Sequence, residues 1–253
     1  VTPDSFSDGG RYQHIDQAVA RAEQMIAEGA TILDIGGEST RPNAPKVSLE
    51  EELQRVIPVV QAVAHLPVLL SIDTSQPEVI RQAVQAGADI WNDVRALSRP
   101  HAIETAAALD IPVILMHMRG EPDTMNGLAQ YDDVCREVRD ELLQRVQQVQ
   151  AGGVKAEHII LDLGFGFAKN TQHNVQLVRH FTDFMDLGYP LLAGASRKRF
   201  IGDLLNITQA DERVMGSVAT HLLCVQQGAS IVRVHDVKAT ADALNIWKNI
   251  ASD

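Results

Sequence analysis

Gly29-Ala30-Thr31-Ile32-Leu33-Asp34 decides how the chain is read, because it returns as Gly87-Ala88-Asp89-Ile90-Trp91-Asn92 and again as Gly228-Ala229-Ser230-Ile231-Val232-Arg233. In each copy a helical pattern stops at the glycine, which supplies the left-handed residue that helix C-termini favour. A short apolar run follows, and five residues after each glycine stands a polar side chain: Asp34, Asn92 or Arg233. A helix that closes, a strand that opens and a polar group at the strand's far end form the repeating unit of a parallel α/β fold. Such folds read their ligands at the C-terminal strand ends.

The same alternation runs outward from these copies. Residues 14–28 carry Ile15, Val19, Ala22 and Ile26 on one helical face, and Leu53, Val56, Ile57, Val60 and Val63 repeat the pattern. Ser48 with Glu51, and Ser75 with Glu78, have the spacing of capping boxes. Apolar runs at 31–35, 68–72, 113–116, 159–161 and 191–193 suit strands buried on both faces. The reading is one domain over 1–253, a (β/α)8 barrel with seven strands and eight helices, entered in the loop after an expected first strand. In this reading Asp34, Asn92 and Arg233 end strands.

Bulk properties narrow the function. A net charge of −11 argues against nucleic-acid and anionic-membrane partners, which attract basic surfaces. No apolar run approaches a membrane span, and the chain reads as cytoplasmic. Cys135 and Cys224 have no metal-ligand spacing and read as buried reduced thiols.

The strand ends then present Asp34, Asp73, Asn92, His117, Asp162, Ser196, Lys198, Arg233 and His235. Asp73, Asn92, Asp162 and Lys198 supply the acceptors and donors that a flat heterocycle with amide and amino edges requires. Arg41, Arg233 and His235, with the hydroxyls of Ser39 and Thr40, suit a phosphate or pyrophosphate. Asp236, opening the last helix, reads as a cap, and His117 as a core or supporting histidine. Lys198 is open to two readings, a Schiff-base lysine or, with Arg197 and Arg199 beside it, part of an anion site. With no metal-binding cluster in the sequence, any metal is expected to be Mg²⁺ held mostly by substrate phosphates.

These residues resemble the bacterial dihydropteroate synthases. The resemblance is carried by Val1–Gly10, Gly36–Pro42, Asp73-Thr74-Ser75, Asn92-Asp93, Met116-His117-Met118, Asp162–Phe167, Ser196-Arg197-Lys198 and Arg233-Val234-His235-Asp236. It is collinear from Val1 to about Lys248. It implies that Asp73, Asn92, Asp162 and Lys198 bind pterin, that Arg233 covers the pterin ring, and that Arg233 and His235 face the pyrophosphate. It further implies that Phe6, Thr40, Arg41 and Pro42 belong to two loops over the site, and that Thr40, Pro42, Phe167 and Ser196 form the p-aminobenzoate pocket. Asp73, Lys198, Arg233 and His235 are then the catalytic set. A homodimer and inhibition by sulfonamides are also implied. The family's metal-serving Asn directly precedes the position of Val1, so no metal ligand is expected within this chain. Leu163 stands where the family usually has Pro, Ala168 where Gly is common, and Asn43 where Gly is frequent. The rival readings are a pterin-binding methyltransferase barrel and a non-catalytic homologue; the pyrophosphate-type residues at 196–198 and 233–235 argue against the first.

Overall fold

The computed structural model describes residues 11–39 and 46–251, with the side chains of 11–14 left aside. Its strands are β1 (Ile32–Gly36), β2 (Leu69–Asp73), β3 (Ile90–Asp93), β4 (Val113–Met116), β5 (Ile159–Asp162), β6 (Leu191–Ala193) and β7 (Ile231–Val232), in the order in which the chain makes them. Neighbours from β1 to β4 pair in parallel, as do those from β5 to β7. The seven strands expected are the seven found among the described residues.

The helices are α1 (Arg11–Ala27), α2 (Leu49–Val63), α3 (Pro77–Gln85), α4 (Ala102–Leu109), α5 (Val134–Ala151), α6 (Thr171–Arg179), α7 (Arg199–Leu205), α8 (Val214–Gln226) and α9 (Val237–Ala251). That is nine among the described residues, one more than expected, because the stretch between β6 and β7 breaks in two at Asn206. There a left-handed residue (φ 56°) closes α7.

The repeated glycines do what the sequence required of them. Gly29, Gly87 and Gly228 have φ of 107°, 112° and 107°. In each copy the following amide reaches back five residues, from Ala30 to Met25, Ala88 to Ala83 and Ala229 to Cys224. This is the six-to-one bond of a Schellman ending. Gly153 (φ 101°), with Val154 bonded to Val149, is a fourth copy.

The described chain divides into two compact units: the residues up to Leu115 with Gln148–His158, and Met116–Gln147 with the residues from Ile159 onward. The first has Val56, Val60, Ile72, Val79, Ile80 and Trp91 fully buried between helices and strands. All four residues of β3 are buried, as expected of a strand covered on both faces. The second buries Leu142, Leu161, Leu177, Leu191, Phe165 and Phe181, with Phe165 stacked between Phe181 and Phe200. Each such apolar side chain contributes roughly 1.5–3 kcal/mol on burial. Cys224 is buried as expected, whereas Cys135 is only half-buried.

Two local expectations need correction. Ser75 does not cap α3; that position is Gln76, followed by Pro77, and the Ser75 hydroxyl donates to Asp93 of β3 instead. Asp34 does not end β1. It is the middle residue, and the strand continues to Gly36.

Candidate active site

In the first unit the strand register builds a row. Gly36 lies opposite Asp73, and Asp73 opposite Asn92. Gly36 leaves room there, since a Cβ on it would stand 3.2 Å from both the Cβ and the carbonyl oxygen of Asp73. One layer beneath, the Asp34 carboxylate accepts the Ser71 hydroxyl at 2.6 Å and the Asn92 amide nitrogen at 3.2 and 3.3 Å. Asp34 therefore fixes which face of the buried Asn92 amide is donor and which is acceptor.

Behind that row lies a buried polar network that sequence reasoning missed. Asp93 is fully buried, and burial pushes its carboxyl pKa up against the Ser75 hydroxyl and the amides of Arg95 (2.9 Å) and Leu97 (2.7 Å). Those amides hold Ala96 and Leu97 in left-handed geometry, φ 50° and 60°. Arg95 bonds Ser75 Oγ at 3.0 Å and pairs with Glu38 at 3.2 Å. Arg55 donates to the Gly37 carbonyl at 2.9 Å, and Thr74 donates to the buried Glu52 at 2.5 Å. Gly37 and Glu38 are thus pinned at the point where the chain leaves the site. Glu52 was missed too, although its place on the buried stripe one turn before Val56 was a signal that could have marked it. Phe6, Thr40, Arg41 and Pro42, expected at the mouth of the site, lie outside the described residues.

The second unit brings together most of the remaining expected residues. Asp162 ends β5, is buried, and accepts the Gly164 amide at 2.7 Å. Burial raises its pKa, opposed by that amide and by the charges of Lys198, Lys169 and Arg233. Phe167 is 9% exposed, and Lys198 Nζ stands 4.1 Å from its ring centroid, a cation–π contact. Ser196 Oγ accepts the His235 amide at 3.1 Å and lies 2.8 Å from His235 Nδ1. Arg233 follows β7 and is exposed. A carboxylate, an ammonium, a ring, a hydroxyl, an imidazole and a guanidinium thus follow three adjacent strand ends.

The loop carrying Phe167 is wound around one lysine. Lys169 is 8% exposed, and its Nζ reaches the carbonyls of Phe167 (3.0 Å), Gly164 (3.1 Å) and His117 (3.4 Å) and His117 Nδ1 at 2.9 Å. Burial pulls the Lys169 pKa down to about 7, against Asp162 and Glu141, which favour the cation. The other ring nitrogen of His117 meets Glu141 at 2.9 Å. Burial and the Lys169 charge hold the His117 pKa down at about 4, so the ring is neutral at physiological pH. His117 is accordingly the core histidine expected. Ala168, where the family commonly has Gly, is left-handed (φ 48°), the geometry that explains the glycine preference. Of the two flanking arginines, Arg197 pairs with Asp236 at 2.5 Å, and Arg199, 91% exposed, lies 3.8 Å from Asp203. Asp236, read as a cap, directly precedes α9, and its carboxylate accepts from Arg197.

Parallel strands with ligand-type side chains at their C-terminal ends define an α/β enzyme of the barrel class, and the sequence profile described as "Pterin binding enzyme" matches residues 1–235. The chain is 49% identical to a dihydropteroate synthase of Haemophilus influenzae over 252 residues, covering 99% of this chain and 91% of that one. It superposes along its whole length on 91% of a Xanthomonas albilineans dihydropteroate synthase solved with 4-aminobenzoic acid, with TM-score 0.94 and 49% identity. A Yersinia pestis dihydropteroate synthase solved with a sulfonamide drug complex gives TM-score 0.94 at 46% identity, covering 100% of this chain and 92% of that one. The chain belongs to the dihydropteroate synthase family, and its fold class is the (β/α)8 class expected from the sequence.

Proposed function

We propose that the chain condenses 6-hydroxymethyl-7,8-dihydropterin pyrophosphate with p-aminobenzoate, giving 7,8-dihydropteroate and pyrophosphate. The observation that carries this reading is the grouping in the second unit of buried Asp162, Lys198 over Phe167, and Ser196 bonded to His235. Asp162 accepts from the amino and ring N–H edge of a pterin, while Lys198 donates to its acceptors. Asp73, and Asn92 held by Asp34 from below, carry over from the family as further pterin contacts. Phe167 and Ser196 are assigned to p-aminobenzoate, and Arg233 and His235 to the pyrophosphate.

The chemistry needs no protein nucleophile. The C–O bond at the pterin methylene breaks and pyrophosphate leaves with the electron pair. The lone pair of the neutral arylamine forms the C–N bond, and the nitrogen then gives up a proton. Positive charge spreads over the pterin as the bond breaks, and carboxylates at Asp73 and Asp162 stabilise it. Arg233 offsets the negative charge on the leaving group, and His235, whose pKa burial and the Arg233 charge hold at about 4, serves it as a neutral hydrogen-bonding ring.

Mg²⁺ would add to that charge compensation on the pyrophosphate. Mg²⁺ prefers oxygen ligands and commonly keeps its substrate's phosphates among them, so the pyrophosphate oxygens would carry it here. No described helix is long and apolar enough to cross a membrane; the cytoplasmic location is carried over from the family. A homodimer is supported by the exposed apolar side chains of α7 to α9: Leu204 (56%), Met215 (77%), Leu223 (49%) and Ile246 (63%).

A sulfonamide tests the pocket assignment. It is expected to raise the apparent KM for p-aminobenzoate in initial-rate measurements while leaving kcat unchanged. Inhibition that p-aminobenzoate does not relieve would count against the Phe167–Ser196 pocket.

A further inference from the structure

The turn that carries Ser196 and Lys198 is suspended from one face of α8. The Ala195 amide donates to His221 Nε2 at 3.1 Å, and the Arg197 amide donates to Ser217 Oγ at 2.8 Å. Ser217 and His221 are one helical turn apart and so share a face, and the two amides they accept flank Ser196 on either side. Both side chains are buried, His221 completely. Ser217 passes its own proton to the Arg213 carbonyl at 2.8 Å, and Arg213 in turn donates to the Arg197 carbonyl at 3.1 Å. Arg197 is held on both its amide and carbonyl sides in left-handed geometry, φ 56°, which a non-glycine residue adopts only when its surroundings impose it.

His221 can do this only as a neutral ring with its proton on Nδ1, because Nε2 must offer a lone pair. Nδ1 lies toward the Ser217 carbonyl, without a closed hydrogen bond and shielded from solvent. Burial, followed by the proximity of His235, holds the His221 pKa down at about 4.

We propose that Ser217 and His221 are positioning residues that fix the Ser196 turn from α8 and thereby set the affinity of the site for the carboxylate of the arylamine substrate. The proposal rests on the assignment of Ser196 to that carboxylate. It names two residues that touch no substrate and act through the backbone amides on either side of one that does.

The test measures KM for each substrate separately in wild type, Ser217→Ala, His221→Ala and His221→Gln, together with the nitrogen spectrum of the histidine rings in the unliganded protein. Loss of either acceptor should raise KM for p-aminobenzoate about tenfold, with KM for the pterin pyrophosphate within about twofold of wild type. His221→Gln, whose side-chain carbonyl can accept the Ala195 amide, should recover most of the loss. Ser217→Ala removes one oxygen and carries the test should the His221 variants fail to fold. In the spectrum, the unprotonated ring nitrogen of His221 should be Nε2. Parallel changes in both KM values, no change in either, or a proton on Nε2 would overturn the proposal. An inactive wild type would remove the proposed function instead, and the spectrum would still decide whether the ring accepts the Ala195 amide.

Discussion

Asp162→Asn is expected to lower kcat by about a hundredfold or more, the usual cost of removing a preorganised group aimed at charge that develops in the transition state. The geometry makes the substitution informative. One carboxylate oxygen is occupied by the Gly164 amide at 2.7 Å, a bond that asparagine can keep through its own carbonyl. What asparagine loses is the negative charge among Lys198, Lys169 and Arg233, and the second acceptor, which becomes a donor. The loop should therefore stay in place while the stabilisation of a cationic pterin disappears. Steady-state kinetics checks the rate and a thermal melt checks the fold. An unchanged rate in a folded variant would remove Asp162 from the charge-stabilising role.

The second large effect is on stability. Gly164→Ala places a Cβ 1.9 Å from the His117 carbonyl oxygen at a residue with φ 68°. The left-handed conformation alone costs a non-glycine residue roughly 1–2 kcal/mol. The overlap adds more, because the carbonyl it meets is not free to move. The His117 amide is bonded to the Asp162 carbonyl at 2.9 Å, and its ring is held by Glu141 and Lys169. Lys169 also holds the Gly164 carbonyl at 3.1 Å. Overpacking a site of this kind costs about 1–3 kcal/mol further, so the expected loss in urea denaturation is about 3 kcal/mol or more. Gly188 supplies the control. Its φ is 79°, but a Cβ there meets nothing within 4 Å, so Gly188→Ala should cost only the conformational share. Equal losses at the two positions would show that the Lys169 knot does not constrain the loop.

How far these features could be read from the sequence depends on whether their causes are local. The Gly-Ala repeats were legible because a helix ending that needs positive φ is chemistry written in one residue, and three copies carry it at 107°, 112° and 107°. The fourth, at Gly153, was obscured because a short 3-10 turn, Ala156–His158, separates it from β5 and moves Asp162 off the five-residue spacing. Asp162, Ser196, Lys198 and His235 were legible as strand-end groups, and the structure places them at or just beyond β5, β6 and β7; Phe167 came only from the family resemblance. The Ser75 cap was misread because a hydroxyl with cap spacing found a stronger partner, a buried carboxylate 18 residues away. The same limit hid the Lys169–His117 bond, which spans 52 residues, and the Arg95–Glu38 pair, which spans 57. Side-chain periodicity carries no information about such pairings. Asp34 shows the remaining gap: the sequence marks a polar residue in the strand, but only the register makes it the support of Asn92 rather than a rim group.

The most direct test of the account is pyrophosphate release from 6-hydroxymethyl-7,8-dihydropterin pyrophosphate in the presence of Mg²⁺, measured with and without p-aminobenzoate. The account predicts release that depends on p-aminobenzoate and is matched one-to-one by 7,8-dihydropteroate. A folded protein that releases no pyrophosphate with both substrates present would contradict it.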